Sequence, residues 1–210
     1  MKRAALQLAI ALASAAIGAL GLSACNGGAS APRPNSDAPP VSTGASVRPA
    51  VAWPAQNAVD SGAFVLLSKT TGMPDAELRS MIARSAVPVL VPAGVGLAAA
   101  TLMVEGEYFA LAGHVDDRGG RATISVQGTR TAHRYEGIEP RAGNRPLRAS
   151  GAILGFVSIN ENIRTASWIE HGAAYNVDVE CSDVRDGRCQ SDDFLLSIVA
   201  DLAYVGGSGR

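Results

Sequence analysis

The feature that most constrains the fold is the segment ASWIEHGAAYNVDVEC, residues 166–181. Apolar and polar residues alternate on both sides of His171-Gly172, which is the pattern of two half-buried strands. A two-residue loop suits a tight hairpin here, because glycine adopts a positive φ without steric conflict. A one-residue slip would mix the two faces, so the register is well specified. The predicted pairs are Trp168–Tyr175 and Ala166–Val177 on the apolar face, with Ser167–Asn176 and Thr165–Asp178 on the polar face.

Several other segments are predicted to be extended. Two prolines in residues 87–92 would remove hydrogen-bond donors from a ladder, so this segment is predicted to be an extended edge lying over the core. The apolar run at residues 64–67 is predicted to be a strand or a buried turn. Residues 128–150, by contrast, are predicted to form a long loop. Further strands are predicted at residues 107–114, 122–127 and 151–159, with a turn at residues 116–120.

Two helices are predicted to pack against this sheet. The first spans residues 74–85, where Leu, Met and Ile recur at helical spacing after a proline. The second begins with Ser191 as its N-cap, carries an apolar stripe that includes Leu202, and ends at Gly206-Gly207. The predicted fold class is therefore α+β, a single domain over residues 61–207 in which two helices pack on an antiparallel sheet.

The N-terminus has the pattern of an export signal. Lys2 and Arg3 precede a run from Ala4 to Leu22 that carries no charge. The run is long enough for a membrane-spanning helix, but it is alanine-rich and no Lys or Arg follows it directly. Residues 1–24 are therefore predicted to be a signal peptide.

The residues that close this run, Leu22-Ser23-Ala24-Cys25, resemble the lipobox of bacterial lipoproteins. The resemblance implies that Cys25 is acylated, for example with palmitate, and becomes the first residue of the mature chain. Because Asn26 rather than aspartate follows, it also implies the periplasmic face of the outer membrane, with the inner membrane as the lesser alternative. An ordinary cleaved signal that happens to end near a cysteine is the competing interpretation.

Residues 25–60 are rich in Pro, Gly, Ser and Ala and show no apolar period. Such a composition buries too little apolar surface to offset the entropy of ordering, so a disordered tether is predicted. Its reach would be about 30–35 Å. Trp53 is the exception in this segment; docking on the domain, binding to a partner and simple exposure are all open interpretations.

Two cysteines, Cys181 and Cys189, remain once Cys25 is acylated. An exported protein meets an oxidising compartment, so we predict a structural disulfide between them. A zinc site would need further ligands at nearby spacing, and a redox-active pair is usually separated by only two residues.

Charge is distributed unevenly along the chain although the net charge is only −1. Seven arginines and two glutamates lie between residues 118 and 148, whereas acids dominate residues 160–201. One interpretation is that the two halves complement each other within the fold. The other is that arginines of the loop bind anionic lipid, peptidoglycan or an acidic envelope protein. The candidate anion-binding residues are Arg130, Arg134, Arg141, Arg145 and Arg148.

No catalytic motif appears in the sequence. The spacing of His114, His133 and His171 matches no common metal site, and no Gly-x-Ser-x-Gly elbow or phosphate-binding loop occurs. We therefore predict no catalytic residue, metal ligand or cofactor. The near-neutral charge and the aromatic content of 5% also argue against nucleic acid as a partner.

The C-terminal segment Trp168–Tyr204 resembles a hairpin-plus-helix module of periplasmic regulatory domains, including those associated with anti-sigma factors. The resemblance implies sensing or binding rather than catalysis. The predicted function is a non-enzymatic binding, envelope-assembly or regulatory role for a membrane-anchored lipoprotein. The alternative is a hydrolase or inhibitor acting on envelope polymers.

Overall fold

The computed structural model describes residues 50–117, 120–131, 145–148 and 153–207. They form antiparallel strands with a few helices, which confirms the α+β class. The helices are α1 (Ser61–Thr71), α2 (Asp75–Ile82), α3 (Gly187–Gln190) and α4 (Asp193–Ala200). The strands are β1 (Val89–Pro92), β2 (Ala98–Glu105), β3 (Tyr108–Asp117), β4 (Gly120–Thr129), β5 (Arg145–Pro146), β6 (Leu154–Asn160), β7 (Ile163–Glu170), β8 (Ala173–Cys181) and β9 (Leu202–Gly206).

Seven strands form one antiparallel sheet in the order β2-β3-β4-β8-β7-β6-β5, and β1 pairs with β9 in a separate two-stranded sheet. Helix α1 packs against β2 and β9, α4 packs against β7 and β8, and β1 lies against β4. The sheet side chains that face these elements form the core. Along β4 and β8 these buried side chains alternate with more exposed ones on the other face. The centre of this core is formed by Phe109, Leu111, Ile124, Val126, Val177, Val179, Leu195 and Ile198.

The β7–β8 hairpin has the register that the sequence predicted, pair by pair. Trp168 lies opposite Tyr175, and their rings stack with centroids 5.6 Å apart. The loop residues His171 and Gly172 have φ values of 54° and 73°, so both are left-handed. Two consecutive left-handed residues match the twist of the flanking strands, which explains the tight turn.

The prediction of a strand or buried turn at residues 64–67 is wrong. These residues lie within α1, where Ala63, Phe64 and Leu67 face the core. The Asp60 carboxylate accepts a hydrogen bond from the Ala63 amide at 2.9 Å, and Gly72 ends the helix with a φ of 65°. Four consecutive apolar residues carry no readable period, so the helix is recognised only from its capping residues.

The helix predicted over residues 74–85 is confirmed as α2, which ends earlier, at Ile82. Beyond it the Ser85 hydroxyl donates to the Val87 carbonyl at 2.7 Å and holds a local turn. The extended segment predicted at residues 87–92 contains β1, whose four residues are all buried.

The end of the last helix was predicted wrongly. Helix α4 ends at Ala200, and residues 202–206 form β9, which pairs with β1. Leu202 lies seven residues after Leu195, which is a helical spacing, so the pattern continues across the real boundary. The helix also begins at Asp193, and Ser191 accepts from the Asp193 amide only at 3.3 Å.

Strand β2 and helix α3 were not predicted from the sequence. Strands β3, β4 and β6 match the predicted strands to within a few residues. Strand β5 and the end of β4 fall inside the predicted long loop, whereas residues 132–144 and 149–152 lie outside the described part.

The described chain begins beside the β7–β8 hairpin. The Ala52 amide donates to the His171 carbonyl at 2.9 Å, and the indole of Trp53 lies against Gly207. Trp53 is therefore docked on the domain, one of the interpretations left open above. Residues 1–49, including Cys25 and most of the predicted tether, lie outside the described residues.

Candidate functional site

One face of the seven-stranded sheet is left open by the described residues. Helices α1 and α4 and strand β1 pack on the opposite face, where every second side chain of β4 and β8 is fully buried. Short polar or small side chains cover the open face at the centre of the sheet. They include Ala110, Ala112, Thr123, Ser125, Gln127, Thr165, Ser167, Asn176 and Asp178.

A hydrogen-bond network centred on Asp178 orders the middle of this face. Its carboxylate accepts from the Thr165 hydroxyl at 2.6 Å, the Asn176 amide at 3.0 Å and the Ser125 hydroxyl at 3.2 Å. The four side chains come from three adjacent strands, so the network holds their rotamers in place. The sequence predicted Thr165 opposite Asp178, but it did not predict Ser125, because the β4–β8 pairing joins distant parts of the chain.

Three large apolar side chains lie at one corner of the open face. Leu154, Phe156 and Ile169 are 56%, 52% and 62% exposed. In the β6–β7 register Phe156 lies opposite Ser167. Leu154 and Ile169 are each two residues further along their strands in the direction of the His171-Gly172 turn, so they lie on the same face as Phe156. We call these three residues the corner patch. The corner belongs to the end of the sheet that carries the His171-Gly172 turn.

Arg145, a candidate anion-binding residue, is bound within the fold. Its guanidinium donates to Asp192 at 2.6 Å, and the same carboxylate also receives the guanidinium of Arg164. Hydrogen bonding from Arg145, and then from Arg164, holds the pKa of Asp192 below its usual range. Arg164 also donates to the carbonyls of Cys189 and Gln190 at 2.8 and 3.0 Å, so this cluster joins β7 to helix α3.

Arg148 is bound in the same manner. Its Nε lies 3.3 Å from Glu170, and it donates to the Val199 carbonyl at 2.8 Å. Glu170 also accepts from the indole of Trp168 at 3.0 Å. Both charged side chains are largely buried, at 15% and 11% exposure. For Arg145 and Arg148 the geometry favours the interpretation in which the two charged halves complement each other.

The remaining candidate anion-binding residues are Arg130, Arg134 and Arg141. The backbone amide of Arg130 donates to the Glu107 carbonyl at 2.9 Å. The side-chain Nε of Arg130 is buried with no hydrogen-bond partner within the described part of the chain. Arg134 and Arg141 lie outside the described residues, so anion binding there stays a prediction.

Cys181 and Cys189 form the predicted disulfide, with Cα atoms 6.1 Å apart. The bond fixes α3 to the end of β8. A shallow pocket of about 180 Å³ lies beside it, lined in part by Ile159, Arg164 and Val184. Among the residues that the structure describes, no group of three His, Cys, Asp or Glu side chains is arranged to hold a metal ion.

A second ionic cluster, around Arg188, was not predicted from the sequence. Arg188 binds the nearly buried Asp186, lies 3.2 Å from Asp117, and donates to the carbonyls of Val115 and Gly120 at 3.1 and 2.7 Å. The hydrogen bonds from Arg188 lower the pKa of Asp186. The cluster ties α3 to the β3–β4 hairpin and so has a structural role.

The chain matches no protein-family model, no curated protein and no solved structure. No helix within the described ranges is long and apolar enough to cross a membrane.

Proposed function

We propose that this chain is a bacterial lipoprotein, anchored by acylated Cys25 at the periplasmic face of the outer membrane, whose domain binds an envelope partner without catalysing a reaction. The lipobox-like Leu22-Ser23-Ala24-Cys25 supports the anchor. The Cys181–Cys189 disulfide supports an oxidising compartment such as the periplasm. The role would be in envelope assembly or regulation.

The observation that carries the binding role is the open sheet face. Small ligands usually bind in concave sites, whereas macromolecular partners dock on flatter surfaces. The centre of the open face carries short side chains, several of them held by the Asp178 network. A partner surface can therefore approach the strands closely and find hydroxyl, amide and carboxylate groups that are already positioned.

The anchor is tested by labelling cells with a palmitate analogue, with and without globomycin, an inhibitor of lipoprotein signal cleavage. We expect label on the wild-type chain, a higher mass after globomycin, and loss of both effects in Cys25→Ser. The Cys25→Ser chain should also leave the membrane fraction. Identical masses with and without the inhibitor, or persistent label on the variant, would contradict the anchor.

The binding face is tested by affinity capture from envelope membranes followed by mass spectrometry. The double variant Thr123→Arg with Gln127→Arg places two long cations on the exposed centre of the open face. The matched control, Ser80→Arg with Gln56→Arg, makes the same kind of change on exposed residues away from the sheet. We expect the face variant to lose partners that the control retains. Recovery of the same partners by both variants would count against the open face.

A further inference from the structure

The corner patch is an apolar surface at one corner of the open face. Among the described residues, the side chains that β6 and β7 direct to the open face are all apolar or uncharged. Leu154, Phe156 and Ile169 are each more than half exposed. Large apolar side chains that are exposed side by side can form a contact site for a protein or a membrane.

The place where the described chain begins indicates what covers the corner patch. The described chain begins at Ala50, whose carbonyl oxygen lies so close to Gly172 that a Cβ there would overlap it. Gly172 belongs to the turn that follows β7, and Ile169 is near the end of that strand. Residues 26–49 alone separate this end of the sheet from Cys25. The patch therefore lies at the end of the domain from which the chain runs back to the proposed anchor.

One acidic residue of the open face, Glu105, lies at this end but on the far edge strand β2, four strands away from Ile169. The other acidic residues of the open face lie farther from this end. Asp178 pairs with Thr165 in the middle of the hairpin, Glu180 pairs with Thr123 beyond it, and Asp116 is close to the opposite end of β3. A bilayer with anionic headgroups would repel these acids and would accept the uncharged corner. The charge pattern thus favours contact through the corner alone.

We propose that the corner patch rests on the bilayer that holds the lipid anchor, so that the domain is oriented on the membrane and the centre of the open face stays accessible. This inference rests on the proposed acylation of Cys25. Three apolar side chains alone would bind lipid weakly, but an anchor makes the contact intramolecular and raises the effective concentration of membrane. Their burial among acyl chains then decides the orientation of the domain.

The test uses the full-length acylated chain in vesicles of phosphatidylethanolamine and phosphatidylglycerol, with and without brominated acyl chains, which quench nearby tryptophan. Phe156→Trp introduces the probe into the patch. Ile159→Trp is the matched control, because Ile159 is 59% exposed but lies near the β6–β7 turn at the other end of the sheet. The signal of Trp53 and Trp168 is subtracted with the wild-type chain. We expect bromolipid to remove most of the added fluorescence at position 156 and little of it at position 159.

The outcomes separate this inference from the proposed function. The mass of each sample reports acylation independently of quenching. An acylated chain in which position 156 is unquenched, or in which both positions are quenched equally, overturns the orientation and leaves the anchor standing. Cross-linking of two copies through an unquenched patch would assign it to a second copy of the chain. A chain without acyl groups overturns both proposals.

Discussion

At the residue scale, Asp192 connects three parts of the chain. Its carboxylate forms salt bridges with Arg145 of β5 and Arg164 of β7, and Asp192 directly precedes α4. The carboxylate is 29% exposed and the Arg164 side chain only 12%. Removing the charge of Asp192 would leave a largely buried guanidinium without its partner, and such a loss destabilises a fold more than the loss of an exposed pair.

We expect Asp192→Asn to lower the free energy of unfolding by about 1–2 kcal/mol at neutral pH. The folded pKa of Asp192 is lowered, first by Arg145 and also by Arg164. The stabilisation is therefore complete above the usual aspartate pKa and is lost as the pH falls through the lowered value. Urea unfolding at neutral and acidic pH should show the difference between wild type and variant shrinking in acid.

The control for this prediction is Asp183→Asn. Among the described residues the carboxylate of Asp183 pairs with Arg185, whose side chain is 86% exposed, so little change in stability is expected. Equal effects of the two substitutions would contradict the structural role of Asp192.

At the element scale, the β7–β8 hairpin combines a local and a tertiary constraint. Its alternating pattern specifies the register, and its turn needs a left-handed residue at Gly172. The turn also packs closely against the first described residues of the chain. A Cβ at Gly172 would overlap the carbonyl oxygen of Ala50. The first constraint can be read from the sequence, whereas the second depends on residues more than a hundred positions earlier.

Gly172→Ala is expected to destabilise the domain by about 1–2 kcal/mol, because it combines an unfavourable positive φ with the clash at Ala50. Gly96→Ala is the matched control, since no atom lies within 4 Å of a Cβ at Gly96. Urea unfolding of both variants measures the difference. Equal midpoints for the two variants would contradict the close approach of the chain to the turn.

At the scale of the whole molecule, the uneven charge of the sequence is partly neutralised by folding. Arg145 and Arg148 come from the arginine-rich segment, and their partners Asp192 and Glu170 come from the acidic one. This pairing neutralises the opposite charges locally and ties β5 and the residues after it to β7 and α4. It also leaves Arg130, Arg134 and Arg141 as the loop arginines for which anion binding remains a prediction.

The sequence by itself determined the hairpin register and helix α2, because alternation and helical spacing are properties of neighbouring residues. The Cys181–Cys189 pair was predicted from the cysteine count, with Cys25 set aside as the acylated residue, and from the oxidising compartment that an export signal implies. Only the tertiary structure decided that the chain turns into β9 after α4 and that one face of the sheet stays open. It also decided that Asp178 takes Ser125 as a partner and Asp192 takes Arg145. Each of these features depends on contacts between residues far apart in the chain, and a local pattern carries no information about such contacts.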